Sequence, residues 1–176
     1  VTSASSRSRD NRSLTRADSE SSHPADVVAA LVDHVLSLAE TWPHWTGSPV
    51  EAPVEGEPQP RLYTPHKAIR RVGDHLIDHL AEIDARLAGR PTEPDRWHGS
   101  MVTTPADLAP FTTEDADEAG NRLRRLALMY DVRLRPLSDE VLDARDGDTW
   151  TLREVVRHVA ESAFYADAVG DLTRTQ

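Results

Sequence analysis

The chain of 176 residues contains no cysteine. Disulfides, thiolate metal sites and a nucleophilic thiol supplied by the protein itself are therefore excluded, and any bound metal must rest on nitrogen and oxygen ligands. No apolar run approaches the length needed to cross a bilayer, and the first residues lack the apolar stretch of a secretion signal. A soluble, cytoplasmic protein without a membrane partner is the expectation. Basic surface is also scarce: the formal net charge is -10. Nucleic acid, whose phosphates demand a basic face, is thus not an expected partner. No Ser/His/Asp order, glycine-rich phosphate loop or nucleotide fingerprint is present. Lysine occurs once, at Lys67, among many arginines. With abundant Ala, Asp and Val this matches a GC-rich genome, and an actinobacterial source is expected.

What is present is a set of amphipathic helices. Residues 1–22 are Ser, Arg and Asp with almost nothing apolar, and are read as a disordered tail because they cannot offset their ordering entropy by burial. Residues 23–176 are read as one domain, a size that removes well over half of the unfolded surface from water. Four helices are predicted, at about 25–41, 65–89, 113–135 and 150–170. Each carries an apolar stripe at three- and four-residue steps. The stripes are Val28, Leu31, Val32, Val35, Leu36 and Ala39; Ile69, Val72, Leu76, Leu80, Ile83 and Leu87; Ala116, Ala119, Leu123, Leu126, Ala127, Tyr130 and Leu134; and Leu152, Val155, Val156, Val159, Ala163 and Ala166. Thr64-Pro65 and Thr112-Thr113-Glu114-Asp115 supply helix starts. The proline-rich residues 45–60 and residues 91–110 read as long loops, and residues 137–148 as a polar link.

Two of these helices carry the chemistry. His75 and His79 are four residues apart, so they share a helix flank and form half of a metal site. His158 occupies, relative to its stripe, the position that His75 occupies in the second helix. A third ligand from a neighbouring helix would leave a coordination position for water or substrate. A faint internal repeat lays Tyr63-Thr64-Pro65-His66-Lys67-Ala68-Ile69-Arg70 over Trp150-Thr151-Leu152-Arg153-Glu154-Val155-Val156-Arg157, one helical turn off the histidine match.

The segment Trp150-Thr151-Leu152-Arg153-Glu154-Val155-Val156-Arg157-His158-Val159-Ala160-Glu161-Ser162, together with the HxxxH of His75 and His79, resembles the DinB-like (YfiT-like) family, over about residues 25–172. The resemblance implies an all-α, four-helix-bundle fold with long inter-helix loops. It also implies a divalent cation, zinc or nickel, held by His75, His79 and His158. The family includes thiol-dependent transferases and isomerases. In an actinobacterium the thiol would be mycothiol, arriving as a cosubstrate for a small-molecule reaction. In the family pattern the single histidine usually precedes the pair; here it follows. A rival assignment therefore uses Glu154, four residues before His158, with only one of His75 and His79. The competing function is a non-catalytic binding or interaction bundle whose histidines are ordinary surface groups.

Other residues carry weaker expectations. His34 is read as solvent-facing rather than a fourth ligand, and Asp74 and Asp78 as a solvated face. Glu82 lies on the histidine flank and is placed to orient an imidazole N–H. Trp150 is read as a core anchor for the fourth helix, Trp97 and His98 as a lid or packing over the bundle end, and Arg70 and Arg71 as surface residues unless they bind a carboxylate. Exposed apolar residues on the long helices leave room for a homodimer.

Overall fold

The computed structural model describes residues 22–54, 56, 58–94, 99 and 101–173. Trp97, His98 and most of the expected tail lie outside them. The chain is predominantly helical, as expected for an all-α protein. Its elements are α1 (Pro24–Ala39), a 3-10 turn (Trp42–His44), β1 (Val50–Ala52), β2 (Arg61–Tyr63), α2 (Pro65–Leu87), a second 3-10 turn (Pro105–Leu108), α3 (Thr113–Leu134), α4 (Asp139–Leu142), α5 (Leu152–Glu161) and α6 (Ala163–Asp167).

Helix starts follow from their caps. Thr64 Oγ1 accepts from the Lys67 amide and donates to the Asp107 carbonyl, with Pro65 as first helical residue. Thr112 with Asp115 and Thr151 with Glu154 form complete capping boxes. α2 ends where Gly89 adopts φ 64°, a left-handed conformation that glycine enters without steric cost, and the Arg90 amide donates to the Ala85 carbonyl. The caps position the helices; the buried stripes hold them together. Val28, Val35, Val72, Leu76, Ile83, Leu123, Leu134, Val155 and Val159 are all fully buried in one core. α1 packs on α3, α5 and α6, and α2 packs on the same three. Trp42 closes one end of the core, donating from Nε1 to the Gly170 carbonyl while its ring meets Phe111 edge-on.

Four local expectations need correction. The fourth helix is not continuous: the Ser162 amide bonds back to Val159 instead of continuing the four-residue ladder, and this break separates α5 from α6. Within the expected loop 45–60, residues Val50–Ala52 pair antiparallel with Arg61–Tyr63, with Val50 opposite Tyr63. Ala52 and Tyr63, on one face of this ribbon, are buried, while Glu51 and Leu62 on the opposite face are exposed. The polar link contains α4, whose Leu142 is fully buried. Leu87, placed on the inner stripe, is exposed in the last turn of α2.

Candidate metal centre

α2 packs beside α5 and α6, so the flank of α2 that carries His75 and His79 faces the one that carries His158. The three rings gather with centroid separations of 4.6 Å (His75 to His79), 4.9 Å (His75 to His158) and 5.1 Å (His79 to His158). One nitrogen of each lies within 4.8 Å of the others. A tetrahedral cation with nitrogen ligands at about 2.0 to 2.1 Å sets those nitrogens about 3.3 Å apart, so modest ring rotations would bring them to that spacing.

The free valences are arranged for the same purpose. His79 Nδ1 is 2.8 Å from Glu82 Oε2, and His158 Nδ1 is 2.9 Å from Glu161 Oε2. A carboxylate accepts, so each Nδ1 donates, and it is Nε2 that carries the lone pair of the neutral ring. The hydrogen bond from His79 holds the Glu82 carboxyl below its ordinary value and outweighs the opposing effect of burial. His75 Nε2 is buried and has no hydrogen-bond partner among the described residues. An unsatisfied buried nitrogen is costly, and a cation would satisfy it. Burial, followed by the neighbouring His79 and His158 rings, lowers the His75 pKa from 6.5 to about 4, so this ring is neutral and ligand-competent well into acid. The three residues therefore fit a divalent cation held by nitrogen.

Two cavities reach the cluster. One, of about 430 Å³, is walled by Pro53, Val54, Arg61, Ser162, Phe164 and Tyr165 in addition to His75, His158 and Glu161. The other, of about 890 Å³, includes all three histidines with Asp78, Glu82, Asp84, Glu93, Arg90 and Trp150. Small molecules can thus approach from either side.

The remaining candidates fall elsewhere. Glu154 places both carboxylate oxygens on Arg145 Nη2, at 2.6 and 2.8 Å, and accepts from the Thr151 amide, so it caps α5 and is not in the cluster. His34 pairs with Asp167 at an exposed position. Asp74 and Asp78 are half-buried; Asp74 pairs with Arg71, and Asp78 lines the larger cavity. Glu82 does orient an imidazole, as its flank suggested. Trp150 does not anchor the core: it is 49% exposed, and its ring lies 5.0 Å from His158. Arg71 is buried and reaches the Tyr165 hydroxyl, while Arg70 grips the buried Asp107 with two nitrogens, the carboxylate partner it was left open to find. Glu161, Ser162, Tyr165 and Arg61 were not singled out from sequence. Glu161 alone had a visible signal, since it repeats at His158 the three-residue spacing that links His79 to Glu82.

No protein-family model matches the chain, and comparison with curated proteins and with solved structures also gave no match.

Proposed function

We propose that the chain is a four-helix bundle of the DinB-like (YfiT-like) type and a divalent-metal-dependent enzyme in which His75, His79 and His158 hold zinc or nickel. The observation that carries this reading is the gathering of three imidazoles, one nitrogen of each within 4.8 Å of the others, beside a buried His75 Nε2 that has no hydrogen-bond partner among the described residues. A bound cation would supply Lewis acidity toward a small molecule or a thiol at the open position. Glu82 and Glu161 fix which nitrogen of His79 and His158 faces the ion. Because the chain has no cysteine, a reacting thiol has to arrive as a cosubstrate, and the two cavities give separate approaches for a thiol and an electrophile. The reaction class that follows is thiol-dependent transfer or isomerisation, with mycothiol as the candidate thiol.

The test uses protein purified without a histidine tag. Elemental analysis after incubation with zinc or nickel is expected to give one metal per chain, and His75→Ala, His79→Ala and His158→Ala are each expected to lose it. Unchanged stoichiometry in all three variants refutes the ligand set. A wild type that takes up neither metal favours a non-catalytic bundle. Thiol consumption with an electrophilic substrate by the loaded protein then tests the reaction class.

A further inference from the structure

The two cavities that meet at the histidines differ in charge. The larger one carries Asp78, Glu82, Asp84 and Glu93 against Arg90. The smaller, on the hairpin side, has Arg61 in its wall, with cations packed behind it. Arg71 is buried and supports Tyr165, and Lys67 is fully buried over the Tyr63 ring with Nζ donating to Thr103 Oγ1. Burial first, then the charges of Arg70, Arg61 and Arg71, lowers the Lys67 pKa, although Asp107 opposes the shift. Arg71 is paired with Asp74 and Arg70 with Asp107, so Arg61 is the cation that this cavity's wall presents; its one carboxylate among the described residues, Glu161, is 75% exposed and already engaged by His158. Pro53, Val54 and Phe164 give the same cavity an apolar wall.

A second observation points to a ligand. Ser162 is 3% exposed, lines this cavity, and its hydroxyl has no hydrogen-bond partner among the described residues. A buried hydroxyl left unpaired costs free energy that a ligand oxygen can offset. The break between α5 and α6 creates the position, because Ser162 stands at the point where the helical ladder is interrupted.

We propose that the hairpin-side cavity seats a small organic acid, with its apolar body against Pro53, Val54 and Phe164, its carboxylate facing Arg61, and one of its oxygens accepting from Ser162 Oγ. This names the substrate class of the proposed metal centre and rests on that reading for its place in a reaction. The geometry for binding the acid belongs to the cavity alone. A guanidinium donates through five N–H groups, so Arg61 can take a carboxylate while keeping contacts of its own.

The probe pair is 3-phenylpropionate and its neutral analogue 3-phenylpropan-1-ol, titrated calorimetrically into the full chain, both EDTA-treated and zinc-loaded. The acid is expected to bind at least tenfold more tightly than the alcohol in both forms. Arg61→Gln is expected to erase that preference and Arg61→Lys to retain part of it. Ser162→Ala is expected to weaken the acid about three- to tenfold, and Phe164→Ala to weaken both probes alike. Thermal melts establish that each variant is folded. Equal affinity for acid and alcohol, or a preference that survives Arg61→Gln, overturns the proposal. Acid binding confined to the zinc-loaded protein and indifferent to Arg61 and Ser162 also overturns it, since that is ligation of the cation, and it leaves the metal centre standing. Conversely, Arg61-dependent acid binding by a chain that takes up no zinc supports the acid site and removes the metal centre.

Discussion

Protonation of His75 sets a pH dependence whose sign and size follow from its surroundings. In the unfolded chain the imidazole takes a proton near 6.5; in the folded chain burial, with the adjacent His79 and His158 rings, delays this to about 4. Between those values the unfolded state binds a proton that the native state refuses. Stability of the metal-free protein therefore falls as pH drops from about 6.5 to about 4, and the contribution is recovered above the unfolded value. At about 1.36 kcal/mol per pH unit the gap sets a ceiling of roughly 3.4 kcal/mol. Because the ring is half-buried and partly screened by solvent, about 2 kcal/mol is the expected size. Urea unfolding in EDTA at pH 7.0, 5.5 and 4.5 measures it, with His75→Gln as the reference that cannot titrate. Glu82, Asp107 and Asp115, whose pKa values are all lowered, destabilise the fold only as pH falls through their own folded values. Their effect is shared by both proteins and cancels in the difference. The wild type is expected to lose about 2 kcal/mol more than His75→Gln across the window. Parallel pH curves for the two proteins would refute the claim that this ring is held neutral by its environment.

Further expectations address the contacts around the site. Glu82→Gln is expected to weaken zinc binding about 10- to 100-fold in a chelator competition; Glu161→Gln is expected to do less, because Glu161 is 75% exposed against 28% for Glu82. Trp150→Phe is expected to change stability by less than about 0.5 kcal/mol while removing a zinc-dependent change in tryptophan fluorescence, given the ring's position 5.0 Å from His158. Asp107→Asn is expected to cost about 2 to 3 kcal/mol in urea unfolding, since the 4% exposed carboxylate holds Arg70 and closes a capping box; a loss below about 1 kcal/mol refutes that role. Arg86→Ala is expected to lower zinc affinity severalfold by releasing both the Trp150 carbonyl at the start of α5 and the Glu82 carboxylate that holds His79.

The long helices were legible because burial repeats along them at the helical period and threonines mark their starts. The faint repeat of Tyr63 to Arg70 over Trp150 to Arg157 aligns Thr64 with Thr151, and both prove to be caps with the residue three positions on bonded back to them. The hairpin was illegible for the opposite reason: strands of three residues are too short to show alternation, and the prolines around them read as loop. Nor could periodicity reveal the break at Ser162, because the stripe passes from Val159 through Ala163 to Ala166 as though the helix were continuous. His75 and His79 were visible as a pair from spacing alone, but which cavity each faces depends on the α2–α5 contact. Trp150 shows the limit of reading by residue type. An aromatic just before a cap suggests core packing, whereas its ring lies half exposed against a histidine that only the tertiary fold brings near.

The register of α2 on α5 and α6 is fixed on both sides of the histidines. At the far end of α2, Arg86 Nη2 donates to the Trp150 carbonyl at 2.6 Å; nearer its start, Arg71 Nη2 reaches the Tyr165 hydroxyl at 3.5 Å. His75 and His79 lie between these two ties. From the opposite side the buried Tyr130 hydroxyl donates to the Leu76 carbonyl, which seats α2 against α3 beside the same turn. Leu76 and Leu80 fill the core next to the two histidines. Sliding α2 past α5 would break both ties and empty those core positions together, so the helices that carry the imidazoles are held in register by contacts to which none of the three rings contributes. A small metal-dependent fold whose ligands meet only around the ion unfolds when the ion is removed. Here the helices already carry a shared core and their own register, so the proposed cation would bind to a site the fold has arranged beforehand. Its free energy is then available for affinity and chemistry instead of folding.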